Sequence, residues 1–296
     1  MPQQQAVIIY NPMSGRAGSR AENARHMTGL LAARGIRAEA YATTGPDDAT
    51  RLAREAVSQG VETIISYGGD GTLNEVIQGM ARRTAALAIW PGGTSNVVAR
   101  DLGMPFTAER LADVIAAGKT IRVALGLALR AETQRYFLMM AGIGLDASIA
   151  RSVNKRLKRR AGELAYWVSG IKHLFTWPAE LFTINVDGQR FESAFAIIGN
   201  GKGYGGGMLL TPNARLDEPL FEVYILPVLR SNVAYLRVLS ACMRGKPEAS
   251  GATMIKGRRV EANSSHAPWV QADGEVIGPL PMRFEVVPDA LTLIVP

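Results

Sequence analysis

Val61-Glu62-Thr63-Ile64-Ile65-Ser66-Tyr67-Gly68-Gly69-Asp70-Gly71-Thr72-Leu73-Asn74-Glu75-Val76 is the stretch on which the reading of this chain turns. It opens on a largely β-branched run of the kind buried in a parallel sheet, and Leu73, Val76, Ile77 and Met80 then follow at helical spacing. Between strand and helix stands Gly68-Gly69-Asp70-Gly71. Glycines there remove side chains and allow φ > 0, so the backbone can come close to an anion. The start of the helix adds N–H groups with no partner inside the helix. Asp70 puts one carboxylate at the mouth, suited to a metal or an attacking hydroxyl. Taken alone, the same four residues also suit a plain strand-to-helix turn in which Asp70 is only a cap.

Two more loops of this kind lie in the same half. Ala6-Val7-Ile8-Ile9-Tyr10 runs into Asn11-Pro12-Met13-Ser14-Gly15-Arg16-Ala17-Gly18, and Leu87-Ala88-Ile89-Trp90 runs into Pro91-Gly92-Gly93-Thr94-Ser95-Asn96 ahead of a helical stretch from Val97 to Leu102. In an open parallel sheet all loops that follow strand ends lie along the carboxyl edge, where ligands bind. Three such loops in one half point to a phosphate-bearing ligand.

Asn11-Pro12-x-Ser14-Gly15, Gly68-Gly69-Asp70-Gly71-Thr72-x-Asn74-Glu75-Val76 and Pro91-x-Gly93-Thr94-x-Asn96-x-x-Ala99-Arg100 together resemble the diacylglycerol kinase catalytic domain, in its bacterial soluble lipid kinase branch. The likeness continues through Gly142-Ile143-Gly144-Leu145-Asp146, Gly205-Gly206-Gly207, Pro212-x-Ala214 and Asp273-Gly274-Glu275, so it spans nearly the whole chain.

Composition bounds the alternatives. With 296 residues the chain can build two modest cores, and 47% hydrophobic with 20% charged residues is the balance of a globular protein. No apolar run approaches the roughly 20 residues needed to span a bilayer, and Met1-Pro2-Gln3-Gln4-Gln5 has neither the basic nor the apolar region of a signal peptide. A single cysteine, Cys242, excludes an internal disulfide and reads as a small core residue of a reducing compartment. His26, His173 and His266 are too far apart in sequence to suggest a histidine metal cluster.

Two textures divide the chain near residue 120. Up to Lys119, strands alternate with helices: a helix near 17–34, a strand at 37–41, a helix at 48–58, then the two strand-loop-helix units above. That order implies an α/β domain with an open parallel sheet, residues 1–120. After Thr120 the pattern is short alternating strands, at 121–128, 136–141, 181–186, 191–198, 221–226, 257–262, 269–271 and 282–287, with a hairpin signal at Asp187-Gly188. Residues 121–296 therefore read as an antiparallel sandwich or barrel, and the resemblance implies a β-sandwich domain that holds lipid, its last strand able to pack back on the first domain.

Gly201-Lys202-Gly203-Tyr204-Gly205-Gly206 fits the dinucleotide fingerprint by letter. Yet Met208 to Pro212 offers no helical pattern and the surroundings are antiparallel, so a flexible loop between the domains, lining the way in for the acceptor, is the better expectation. Arg151, Lys155, Arg156, Lys158, Arg159 and Arg160 precede an aromatic and apolar helical face running to Trp177, in a chain of net charge +7. Such a run suits either a solvated cationic face or docking on an anionic leaflet, where each basic residue contributes about 1 kcal/mol. No nucleic-acid module accompanies it.

The resemblance implies transfer of phosphate from ATP to a lipid hydroxyl. It places Asn11, Pro12, Ser14, Gly15, Thr43, Gly68, Gly69, Asp70, Gly71, Thr72, Asn74 and Thr94 around the nucleotide. Asp70 would position Mg²⁺ and phosphate, and Glu275 would be the general base. The implied partners are a lipid substrate and an anionic membrane surface, without nucleic acid and with a homodimer allowed. The implied setting is the cytoplasmic face of the membrane. One departure stands out. Where the family commonly has Asp-Asp-Gly holding a structural Mg²⁺, this chain reads Asp217-Glu218-Pro219, so a metal site there would fall to Glu218 and the carbonyls of Arg215 and Leu220. Its carboxylate is one methylene longer, and Pro219 fixes φ near −65°. An NAD kinase-like enzyme, or a lipid- or nucleotide-binding protein without catalysis, are the other readings. Thr72-Leu73-Asn74-Glu75 and Gly93-Thr94-Ser95-Asn96 follow the lipid pattern.

Overall fold

A computed structural model of the chain describes residues 5–14, 19–145, 147–148, 180–204, 208–229 and 232–296. Gly15, Asp146, the basic and aromatic run over 151–177 and Gly205-Gly206-Gly207 lie outside the described residues. The chain divides into two compact units, Met1–Ala124 with Pro288–Pro296, and Leu125–Val287.

In the first unit β1 (Gln5–Tyr10), β2 (Arg37–Ala42), β3 (Thr63–Gly68) and β4 (Ala86–Pro91) form a parallel sheet in the order β2-β1-β3-β4, and Thr292 and Leu293 add a parallel neighbour beside Ala86 and Leu87. All six residues of β3 are buried. A central strand covered on both faces must be apolar throughout, which explains its β-branched run. The helices are α1 (Arg20–Ala32), α2 (Asp48–Ser58), α3 (Asp70–Met80), α4 (Val97–Asp101) and α5 (Ala108–Ala117). α3 packs closely on α2 because position 79 is glycine. A Cβ there would stand 2.5 Å from the Thr50 carbonyl oxygen and 2.8 Å from the Ala53 Cβ.

The second unit is antiparallel. One sheet runs β12-β11-β10-β7-β14-β15, from β7 (Met140–Gly144), β10 (Phe195–Gly199), β11 (Phe221–Leu226), β12 (Thr253–Gly257), β14 (Trp269–Ala272) and β15 (Glu275–Pro279). Against it lie the hairpin of β5 (Thr120–Arg130) and β6 (Thr133–Phe137), the strands β8 (Phe182–Val186), β9 (Gln189–Ser193) and β13 (Arg259–Asn263), and the first residues of β16 (Met282–Ile294). Phe137, Phe221 and Phe284 meet in the core between these layers, Phe137 stacked on Phe221 at 5.7 Å and edge-on to Phe284 at 6.4 Å.

The class follows the sequence pattern, but three expected strands are each broken in two. The run expected at 136–141 divides into β6 and β7 because the Asp273 carboxylate takes the N–H groups of Leu138, Met139 and Met140, at 2.7, 3.0 and 3.0 Å. The run at 191–198 divides at Ala194, beside which the buried Ser193 hydroxyl accepts the Phe195 N–H and donates to the Leu226 carbonyl at 2.7 Å. The run at 257–262 divides at Arg258, where Asp187 accepts the N–H groups of Arg258 and Arg259. A helix, α6 (Asn232–Met243), also stands in a stretch to which the sequence pattern assigned no element. It covers the second apolar face of β10 and β11, where Tyr235, Val238 and Cys242 pack with Phe195, Ile197, Tyr224 and Leu226. Burial pushes the Cys242 thiol up, as expected of a core cysteine.

Candidate functional site

The carboxyl edge of the first unit brings three of the loops together. β3 ends at Gly68 and α3 begins at Asp70, with Gly69 between them in extended backbone. The Gly92 N–H donates to the Gly68 carbonyl at 2.7 Å, so the 68–72 and 91–96 loops lie side by side. At Gly69 and Gly93 the two backbones touch. A Cβ on Gly93 would stand 2.6 Å from the Gly69 Cα, and one on Gly69 would stand 3.3 Å from the Gly93 Cα. Asn96, in the left-handed region at φ 46°, closes the second loop: its Oδ1 accepts the Gly93 N–H at 2.8 Å and its Nδ2 donates to the Gly93 carbonyl at 2.9 Å. Asp70 Oδ1 accepts the Val97 N–H at 2.9 Å, capping the helix that follows.

The Asn11 loop is tied to the same edge. The Asn11 N–H donates to the Tyr67 carbonyl at 3.2 Å, and the Asn11 side chain accepts the Met13 N–H at 2.9 Å, an Asx turn that sets the course toward Ser14. Arg20, the first residue of α1, was not anticipated. Its Nε donates to the Ser14 carbonyl at 2.8 Å, its terminal nitrogen donates to the Gly92 carbonyl, and its guanidinium lies 4.4 Å above the Tyr67 ring, which stacks on Trp90 at 3.7 Å. The side chain is buried, so it sets a nearly dry positive charge between the first and third loops. A signal was present in the sequence: a cation at the first turn of a helix opposes the helix dipole and needs another reason to be there.

The remaining first-unit residues take different positions. Thr43 follows β2, its N–H bonded to the Tyr10 carbonyl at 2.9 Å, and the next residues are shaped by Asp48, which accepts the N–H and the hydroxyl of Thr44. That backbone hydrogen bond, with help from Arg51, holds the Asp48 carboxyl below its ordinary range. Thr94 is exposed, whereas Thr72 and Asn74 are buried. The Thr72 side chain sits against the Cα of Gly68, where a Cβ would approach its hydroxyl to 2.5 Å. Glycine at 69 and 93 lets the two loops meet backbone to backbone, and that loop pair, with the carboxylate of Asp70 at the start of α3, suits a nucleotide phosphate and the Mg²⁺ that travels with it, since Mg²⁺ binds through one or two carboxylates plus phosphate and water.

In the second unit Asp273 and Gly274, at φ 46° and 83°, make the two-residue turn between β14 and β15, and the Gly274 N–H donates to Gln271 Oε1 at 2.6 Å. Asp273 spends its carboxylate on the backbone of Leu138 to Met140. Glu275 opens β15 half-exposed, and its carboxylate is paired with the Arg135 guanidinium. It borders a cleft of about 230 Å³.

The Pro212 to Leu220 loop does not fit a divalent cation. Glu218 is held between Lys256 Nζ at 3.0 Å and Arg215 Nε at 3.4 Å, so two protein cations already meet its one carboxylate. Arg215 also holds the Asp217 carboxyl below its usual range. Glu222, which is buried, is engaged by the backbone and side-chain N–H groups of Asn213, at 2.7 and 2.9 Å. Among the described residues no three His, Cys, Asp or Glu side chains gather into one group.

Comparison with known proteins agrees along the chain. The family model for the diacylglycerol kinase catalytic domain matches residues 5–128, and the model for the YegS C-terminal NAD kinase beta sandwich-like domain matches residues 139–295. The diacylglycerol kinase of Bacillus subtilis is 32% identical over 287 residues, covering 94% of this chain and 92% of its own. That of Staphylococcus carnosus is 30% identical over 285 residues, covering 94% and 91%. The crystal structure of a diacylglycerol kinase from Bacillus anthracis superposes with a TM-score of 0.80 at 26% identity, covering 99% of this chain and 97% of that one.

Proposed function

Because the chain belongs to the diacylglycerol kinase family of lipid kinases, we propose that it transfers the γ-phosphoryl group of ATP to the hydroxyl of a diacylglycerol-like lipid, with Asp70 serving the nucleotide and Glu275 the acceptor. The observation that carries the nucleotide half is the contact of Gly69 with Gly93, which brings the start of α3 and the 91–96 loop together backbone to backbone at one edge of the sheet. In the reaction the acceptor oxygen bonds to the γ-phosphorus, the bond from that phosphorus to the β-phosphate oxygen breaks with its electrons leaving on ADP, and the hydroxyl proton passes to Glu275. Such a transfer asks mainly for positioning and for neutralised phosphate charge. Mg²⁺ bound with the nucleotide supplies part of that neutralisation, and Asp70 is the carboxylate that would hold it. Arg20 supports the loops from behind, and Asn11, Pro12, Ser14, Thr43, Gly68, Gly71 and Thr94 shape the rest of the nucleotide edge. Thr72 and Asn74, being buried, act through the shape of the loop.

A lipid acceptor requires a meeting with the bilayer surface. No described helix is long and apolar enough to cross a membrane. Peripheral docking is the reading that the basic sequence between Arg151 and Arg160 supports. The test of the whole is incubation of the purified protein with γ-labelled ATP and a mixed lipid extract, followed by identification of the labelled product. Label in a phosphorylated neutral or hydroxyl-bearing lipid supports the reading. Label in NAD alone, or in nothing, overturns it.

A further inference from the structure

The cleft beside Glu275 is built more elaborately than a general base requires. In the β5–β6 hairpin Ala128 pairs with Arg135 and Arg130 with Thr133, so these four residues share one face of the sheet, and that face lines the cleft opposite Glu275, with Met282 at its apolar side. Two guanidinium groups therefore line the same cleft as one acidic side chain. Arg135 is paired with Glu275, and among the described residues no ion pair is formed by Arg130. The Arg130 stem lies along the wall over Gly278, its Cδ 3.6 Å from where a Cβ would stand, an ordinary contact distance. The Nε atoms of both arginines are buried and have no hydrogen-bond partner. An unsatisfied buried donor is costly, and one carboxylate cannot satisfy two forks. An oxyanion entering the cleft would supply the missing acceptors and the missing negative charge.

We infer that Arg130 and Arg135 form a recognition site for an anionic group, a phosphodiester or carboxylate, carried by the acceptor lipid next to the hydroxyl that Glu275 deprotonates. The inference deepens the lipid kinase reading and rests on Glu275 as its base. The placement of the pair beside Glu275 is what assigns the anion to the acceptor: a group bound there stands within a side chain's reach of the reacting hydroxyl. Arg135 is shared, holding Glu275 in the resting enzyme and turning in part to the lipid anion when it binds. An acceptor with a charged head, such as a phosphatidylglycerol, would then be preferred over a neutral diacylglycerol.

The experiment uses dihexanoylphosphatidylglycerol and dihexanoylglycerol as water-dispersed probes, with the full chain and its Arg130→Gln, Arg135→Gln and Arg130→Lys variants, each checked for an intact fold by circular dichroism. Calorimetric binding without ATP is measured first, then the ratio of kcat/KM on the charged lipid to that on the neutral one. Loss of a charged hydrogen-bonding partner should weaken binding of the charged lipid about 10- to 100-fold in Arg130→Gln and lower the kcat/KM ratio to match, with Arg130→Lys recovering most of the loss. An unchanged ratio overturns the inference. So does a matching loss of ATP affinity in Arg130→Gln, which would give the arginines to the nucleotide, or saturation by inorganic phosphate at the affinity of the charged lipid, which would mark a free-anion site. If the parent phosphorylates neither lipid while the binding pattern holds, the kinase reading fails and the anion site stands.

Discussion

Asp70 and Val97 are joined by a hydrogen bond from the Val97 N–H to Asp70 Oδ1, 2.9 Å long, that ties the first turn of α3 to the first turn of α4. The carboxylate thus has a structural task and, in the proposed reaction, a chemical one. The two can be separated because asparagine keeps the accepting oxygen and loses the charge.

Asp70→Asn should therefore lower turnover at least about 100-fold, the scale on which a preorganised charge acts on a transition state, with the unfolding free energy changed by no more than about 0.5 kcal/mol. Asp70→Ala should lose activity and also about 1 kcal/mol of stability, since the Val97 N–H is left without its partner. Near-normal turnover in the asparagine variant would remove the 68–72 loop from the phosphate site.

Arg20 should respond differently, because it touches backbone carbonyls on two loops. Arg20→Lys keeps a charge but cannot span the Ser14 and Gly92 carbonyls with one fork. The expected result is a loss of about 1–3 kcal/mol of stability and weaker ATP binding with a smaller change in kcat. Unaltered ATP affinity in a folded variant would show that the guanidinium only fills space over Tyr67.

Glu275→Gln should reduce turnover at least about 100-fold, the lower range for losing a positioned base, and leave ATP affinity nearly unchanged. A variant that instead lost ATP binding with its turnover preserved would put Glu275 on the nucleotide.

Metal dependence should divide in two. With ATP present, chelation of Mg²⁺ should abolish turnover, whereas without nucleotide neither Mg²⁺ nor EDTA should move the thermal midpoint, because Lys256 and Arg215 already occupy Glu218. A midpoint that climbs with millimolar Mg²⁺ in the absence of nucleotide would contradict the ion-pair account of the 212–220 loop.

Acid should loosen the loop after β2. The Asp48 carboxyl is held below its ordinary 3.8, first by the Thr44 N–H and then by Arg51. Its folded value lies below its unfolded one, so its contribution to stability is complete above about pH 5 and declines as pH falls below 3.8 through the lowered value. Comparing stability from pH 6 to pH 3 in parent and Asp48→Asn should show a shallower acid limb in the variant, and identical limbs would refute the assignment.

The α/β first half, its parallel strands and the Gly-Gly-Asp-Gly loop were legible in the chain because local chemistry states them: β-branched runs, helical spacing and glycines that suit a close backbone approach. What the second half does was less legible. Where a strand stops depended on Asp273, Ser193 and Asp187, side chains that capture backbone N–H groups at Leu138, Phe195 and Arg258. For two of these three the partner is distant in sequence, so no window of neighbouring residues contains it. The same holds for the site. Asp70 and Glu275 stood out by motif, but the Gly69–Gly93 contact, the grip of Arg20 on two loops, the pairing of Arg135 with Glu275 and the claim of Lys256 on Glu218 exist only once the chain is folded. Composition and periodicity report what each segment prefers; which charge meets which carboxylate is decided by tertiary structure, because electrostatic and hydrogen-bond partners are chosen by distance in space.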